Sequence, residues 1–208
     1  MVILSRLFGS ELRVKMMRLF LFNPERSFDV EYIAGKTDAR PRDIEKELVS
    51  LRKLELIKPA KLIKVVSVKK GKKTVQKKKK ANGFTLNARF KYLQPLSDFL
   101  VKTHSLENKA VVKRIEKAGK IKAVLVAGIF TGNQDRRLDL FVVGDNVKTS
   151  SMDRIVRSIE SDMGKDIRYV VLSAPDYAYR LSMNDKLVRD VIDYPHTILL
   201  DKIGIASA

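Results

Sequence analysis

Apolar residues follow two different periods along this chain, and the changes of period divide it into elements. After Ser10, a good helix cap, Leu12, Met16, Leu19 and Phe20 recur at helical spacing and predict a helix to about Phe22, ended by Asn23 and Pro24. Phe28, Val30 and Ile33 mark a short helix over 29–36. A turn through Thr37 and Asp38 leads to Pro41, suited to the first position of a third helix whose apolar stripe is Ile44, Leu48, Leu51 and Leu54. The period then shortens. LIKVVSV at 62–68 is a β-branched strand signal, Lys70-Gly71-Lys72 reads as a turn, and GFTLN at 83–87 closes a hairpin.

In the second half helix and strand patterns alternate. A linking helix is expected over 92–102 and, after a break near His104, another over 107–117 that buries Val111, Val112 and Ile115. There follow a strand (IKAVLVAG), a loop (GIFTGNQDRR), a strand (LDLFVVGD), a helix (MDRIVRSIESDM) and a strand (IRYVVLS). One long helix opened by Pro175 and running to about Ile192, then a short strand (TILL), complete the order. Such alternation predicts an α/β layer with a mixed sheet partly covered by helices.

Charge sharpens the division. Residues 1–103 hold 25 Lys and Arg against 10 Asp and Glu, whereas 104–208 hold 17 against 14, within a chain of net charge +18. Two domains are expected, a basic one over 1–103 and a nearly neutral one over 104–208. The basic half is itself uneven: residues 61–80 contain ten lysines and no acidic residue. Ammonium groups so close together repel one another, and a nucleic-acid backbone is the natural counter-charge. A solvated lysine loop is the plainer alternative.

The order helix, short helix, turn, helix and strand hairpin, together with RPRDIEKELVSLRKLELI, resembles the winged helix-turn-helix fold of prokaryotic transcription regulators over roughly 7–87. The resemblance implies that the third helix enters the major groove of duplex DNA with the lysine hairpin as its wing. Glu55 departs from the pattern, since many members have Gly before the Leu-Ile pair. DNA contacts are expected from Arg40, Arg42 and Lys46 near the start of the third helix, and from Lys69, Lys70, Lys72, Lys73, Lys77, Lys78, Lys79 and Lys80 on the wing. Asp43, Glu45 and Glu47 on the same helix would be repelled by phosphates, so most affinity is assigned to the wing. A protein-contact role for that helix, or an RNA partner, stays open.

AVLVAGIFTGNQDRRLDLFVVGD resembles the core of the nucleotidyltransferase superfamily, in which a strand ends in Gly-Ser and the next strand carries Asp-x-Asp. In that family the Gly-Ser turn holds nucleotide phosphates and the carboxylates bind divalent metals. Here Gly128 matches, Ile129 replaces Ser, Asp139 matches the second carboxylate and Arg137 stands in place of the first. IRYVVLS supplies no third acid. A guanidinium repels a metal, so the reading is a silent nucleotidyltransferase-like domain with Asp139 as a vestige and no metal or cofactor. Gly128, Gly132, Arg136 and Arg137 are candidates for holding a nucleotide or other anion, the alternative being a tight turn between strands.

The remaining features exclude rather than assign. There is no Cys, which removes disulfides and thiolate sites and fits a reducing cytoplasm, the expected location. The eight-residue apolar stretch at 123–130 is too short for a membrane span, and MVILSRLFGSELRVK lacks a basic leader region and a cleavage site. His104 and His196 are far apart, which argues against zinc. Double-stranded DNA is the expected partner and a homodimer the expected state. The expected function is a DNA-binding transcription regulator whose second domain serves dimerisation or ligand sensing. Two alternatives stand: an active nucleotidyltransferase that recruits nucleic acid, and an RNA-binding protein.

Overall fold

The computed structural model describes the backbone of residues 2–70, 73–102, 108–132 and 137–205, and side chains over 3–65, 76–100, 110–132 and 137–205. It is a mixed α and β fold with two sheets, and it divides into two compact units: Met1–Val101 with Ser161–Lys165, and Lys102–Glu160 with Asp166–Ala208.

The first unit opens with α1 (Val2–Phe8), a short helix absent from the sequence expectation, and α2 (Glu11–Leu21). Ser10 caps α2 by accepting the Arg13 N–H at 3.0 Å. Strand β1 (Ser27–Phe28) precedes α3 (Val30–Thr37), which Asp29 caps through the Tyr32 N–H. Pro41 sits in the first turn of α4 (Pro41–Lys53), where its missing N–H leaves nothing unpaired. The hairpin is longer than its sequence signal: β2 (Ile57–Lys70) and β3 (Lys73–Leu86) are each 14 residues. The lysine-poor ends of these strands join the core, and β1 pairs with Phe84 and Thr85 only, giving the order β1-β3-β2. Gly83 permits that pairing, because a Cβ there would strike the Phe28 carbonyl. Helix α5 (Leu93–Lys102) follows.

Phe20, Phe28, Ile33, Ile44, Leu48, Leu51 and Ile57 form the core of this unit. All but Ile57 are positions that the apolar period marks as inward, whereas Leu54 of the expected third-helix stripe falls just past the end of α4 and is exposed. Buried Arg18 is satisfied within it, donating to the carbonyls of Leu100 at 3.1 Å and Asp162 at 2.9 Å. Glu55 has φ +60, the left-handed region that a Gly would occupy at no steric cost.

The second unit begins with α6 (Asn108–Ile115), which tightens into a 3-10 turn over Glu116–Ala118 before β4 (Lys120–Val126). A 3-10 turn at Gly128–Thr131 occupies part of the expected loop. Then come β5 (Leu140–Asp145), α7 (Thr149–Met163), β6 (Tyr169–Leu172), α8 (Ala174–Ser182), α9 (Lys186–Ile192) and β7 (Thr197–Asp201). The sheet order is β6-β5-β4-β7, with β4 antiparallel to both neighbours and β6 parallel to β5. A parallel pair needs a crossover, and α7 supplies it. β5 lies at the centre of this mixed sheet and is buried on both faces over Leu140, Phe141, Val142 and Val143.

The long helix expected from Pro175 is two helices. Asn184 takes φ +52, and Asp185 accepts the N–H groups of Leu187 and Val188 to start α9. Asp185 is therefore the cap of α9. Among the described residues no helix is long and apolar enough to cross a membrane.

Candidate nucleic-acid interface

Past Gly83 the hairpin pairs only with itself. The register runs from Ala60 opposite Gly83 to Lys70 opposite Lys73, so two strands extend as a free ribbon for about 34 Å at the usual rise per residue. Lys77, Lys78, Lys79 and Lys80 are ladder residues of β3 rather than a solvated loop, and all four are exposed. Alternation deals them to both faces. Lys78 and Lys80 lie directly across from Val65 and Ile63, while Lys79 lies across from Lys64. No carboxylate occurs between Glu55 and Asp98 to neutralise them locally.

One lysine is tied down from outside the run. Lys64 Nζ is 2.6 Å from Asp29 Oδ2 and 2.7 Å from Glu31 Oε2, which fixes the base of its face to the start of α3. Lys69, Lys70 and Lys73 have their backbones in the strands and their side chains outside the described residues. Lys72 lies outside them entirely. Lysine is depleted in strands, but on an open edge it deters pairing with other chains, and long aliphatic neighbours give it a surface to lie on.

The other candidate element, the start of α4, is more nearly neutral. Arg40 Nε meets Asp43 Oδ2 at 2.8 Å, and Glu47 accepts from Arg13 Nε at 2.8 Å and from the Ser10 hydroxyl at 2.9 Å. Two of the three carboxylates that were expected to repel phosphates are thus occupied within the fold. Arg42, Lys46 and Glu45 remain exposed. Arg42 and Lys46 can contribute beside the ribbon, but α4 offers far less uncompensated positive charge than β3.

In the second unit the Asp139 carboxylate has a structural use. Asp139 precedes β5 and Arg168 precedes β6, and the parallel register that sets Leu140 against Tyr169 brings the two together. Arg168 donates from Nε to Asp139 Oδ2 at 2.9 Å and from Nη2 to Oδ1 at 3.1 Å. The Arg168 backbone N–H donates to Oδ2 at 2.9 Å and the Ile129 N–H to Oδ1 at 3.0 Å. Hydrogen bonding to Asp139 raises the Arg168 pKa above its ordinary value. The carboxylate is fully buried with four donors on two oxygens, leaving little lone-pair capacity for a metal. Among the described residues no cluster of three or more His, Cys, Asp or Glu is placed to hold a metal ion.

No family model, curated protein or solved structure matches this chain.

The same contacts account for the glycine turn. Gly128 has φ +53 and a Cβ would collide with the Asp139 carboxylate, so this position requires glycine for packing. Three of the turn's N–H groups are already used, that of Ile129 by Asp139, that of Phe130 by the Ala127 carbonyl and that of Gly132 by the Gly128 carbonyl. Gly128 and Gly132 therefore bracket a turn whose N–H groups at Ile129, Phe130 and Gly132 are not open to a phosphate. Arg136 lies outside the described residues. Arg137 is 75 % exposed, 3.9 Å from Asp190 Oδ2, and borders a cleft of about 300 Å³ with Lys186, Tyr194 and an apolar floor that includes Leu138 and Val191.

Arg168, Lys186 and Tyr194 were not singled out by the sequence. Arg168 was in principle findable, because any parallel pairing of the strands around LDLFVV and RYVVL sets it beside Asp139. Lys186 and Tyr194 join Arg137 only through the break between α8 and α9, which the apolar period does not reveal.

Proposed function

We propose that this protein binds duplex DNA through the β2–β3 ribbon and acts as a transcription regulator, with its first unit a winged helix-turn-helix. The order α2, α3, α4 and hairpin supports that fold assignment, the ribbon being an extended wing. One observation carries the reading: four exposed lysines on consecutive residues of β3, presented on both faces of a free ribbon with no carboxylate in the surrounding segment. Such charge density is favourable mainly against a polyanion, where each neutralised phosphate releases counterions.

The second unit is, in this reading, a nucleotidyltransferase-like domain without transferase activity that serves assembly or ligand sensing. The commitment of Asp139 to Arg168 supports the loss of metal chemistry. The cleft beside Arg137 and Lys186, net cationic with an apolar floor, suits a small anionic ligand. Competition between duplex DNA and duplex RNA of equal length and sequence tests the reading. Preference for DNA is expected, and equal or stronger retention of RNA would move the protein to an RNA-binding class.

A further inference from the structure

The ribbon presents two exposed aliphatic side chains that phosphate binding does not require. Ile63 and Val65 are 65 % and 58 % exposed, and the ladder sets them directly across from Lys80 and Lys78. In the middle of this face Ile63 and Val65 on β2 form an aliphatic pair beside the ammonium pair of Lys80 and Lys78 on β3, with Lys61 opposite Asn82 towards the base and Ser67 opposite Gln76 towards the tip. The opposite face is the one whose Lys64 is held by Asp29 and Glu31, so the Ile63 face is the one turned away from α3. Phosphate binding uses the ammonium groups and leaves the aliphatic pair exposed to water. An aliphatic pair asks for an apolar partner lying alongside an anionic one.

Resting on the DNA-binding reading, we propose that this face lies in the major groove of B-form DNA, where Ile63 and Val65 contact thymine 5-methyl groups. Lys78 and Lys80 then reach guanine acceptors or the bordering phosphates. Dimensions choose the groove. Two strands about 4.8 Å apart with their side chains exceed a minor groove about 6 Å wide but fit a major groove about 12 Å wide. Duplex RNA offers neither an accessible major groove nor a methyl group on its uracil. In this docking Arg42 and Lys46 meet flanking phosphates, and the ribbon acquires a preference for thymine-bearing sequence that lysines alone lack.

Replacing every thymine of a mixed-sequence duplex by uracil removes only the methyl groups, which makes it the direct probe. Binding of the parent chain and of the Ile63→Ser, Val65→Ser double variant to both duplexes is compared at one salt concentration. The parent is expected to favour the thymine duplex by about fourfold for each methyl group buried, and the variant, whatever its overall affinity, to bind the two duplexes equally. Equal binding of the two duplexes by the parent would overturn the inference whatever the variant does, as would a thymine preference retained in the variant. Failure to bind either duplex would instead remove the DNA-binding reading on which the inference rests.

Discussion

Asp139 and Arg168 meet at the starts of two parallel strands, where the guanidinium donates to both oxygens of a fully buried carboxylate. Arg168→Ala leaves that carboxylate with two backbone donors and no counter-charge. Breaking a buried pair typically costs about 3–5 kcal/mol, and the partial exposure of Arg168 lowers the expected loss to about 2–3 kcal/mol. Urea unfolding measures it. An unchanged midpoint would show that the pair does not hold β5 against β6.

The same pair limits what a second carboxylate two residues before Asp139 can achieve. Arg137→Asp recreates the Asp-x-Asp pattern in sequence, but Asp139 remains engaged by Arg168 and by the Ile129 N–H. Calorimetric titration with Mg²⁺ is expected to show no new binding. A site of ordinary affinity in this variant would mean that Asp139 is freer than its four donors imply.

Glu55 is a strained position with a simple remedy. Its φ of +60 costs about 1–2 kcal/mol for a residue with a Cβ, while glycine adds about 0.4–1 kcal/mol of unfolded-state entropy. The first effect is larger, so Glu55→Gly is expected to stabilise the first unit by about 0.5–1 kcal/mol. Thermal unfolding checks the sign, and a lower melting temperature would contradict it.

Asp145 gives the second unit a defined response to acid. Its carboxyl is held below the ordinary value first by the hydrogen bond from Lys122, whose Nζ lies 2.6 Å away, and then by the Ala174 N–H. A depressed carboxyl contributes stability that is complete above the unfolded pKa of about 3.9 and is lost as pH falls through the lower folded value. Asp145→Asn is therefore expected to flatten the acid limb below about pH 4 and to leave the shape of the profile above it unchanged. A parallel limb in parent and variant would exclude this group as the source.

Local signals made much of the fold legible. Ser10, Asp29 and Pro41 announce helix starts because their side chains act on their own backbone, and the β-branched run at 62–68 announces the hairpin. The misses have non-local or compensating causes. Lys77–Lys80 carry no strand signal of their own because lysine is a poor strand former, yet Ile63 and Val65 pair with Lys80 and Lys78 in the ladder. Helices α8 and α9 read as one because Leu181 and Val188 keep the helical period across a break made by Asn184 and Asp185. The site was less legible than the fold, since the role of Asp139 depends on Arg168, 29 residues away, and on a strand pairing that no local pattern displays.

The proposed DNA binding rests on the ribbon, and the salt dependence of affinity tests that role most directly. Plotted as log affinity against log salt, the parent chain is expected to give a steep negative slope. Changing Lys77, Lys78, Lys79 and Lys80 together to Ala should reduce its magnitude by about 0.9 for each phosphate that the protein no longer neutralises. A slope near zero in the parent, or one that the fourfold substitution leaves unchanged, would contradict the assignment of the ribbon as the DNA-binding element.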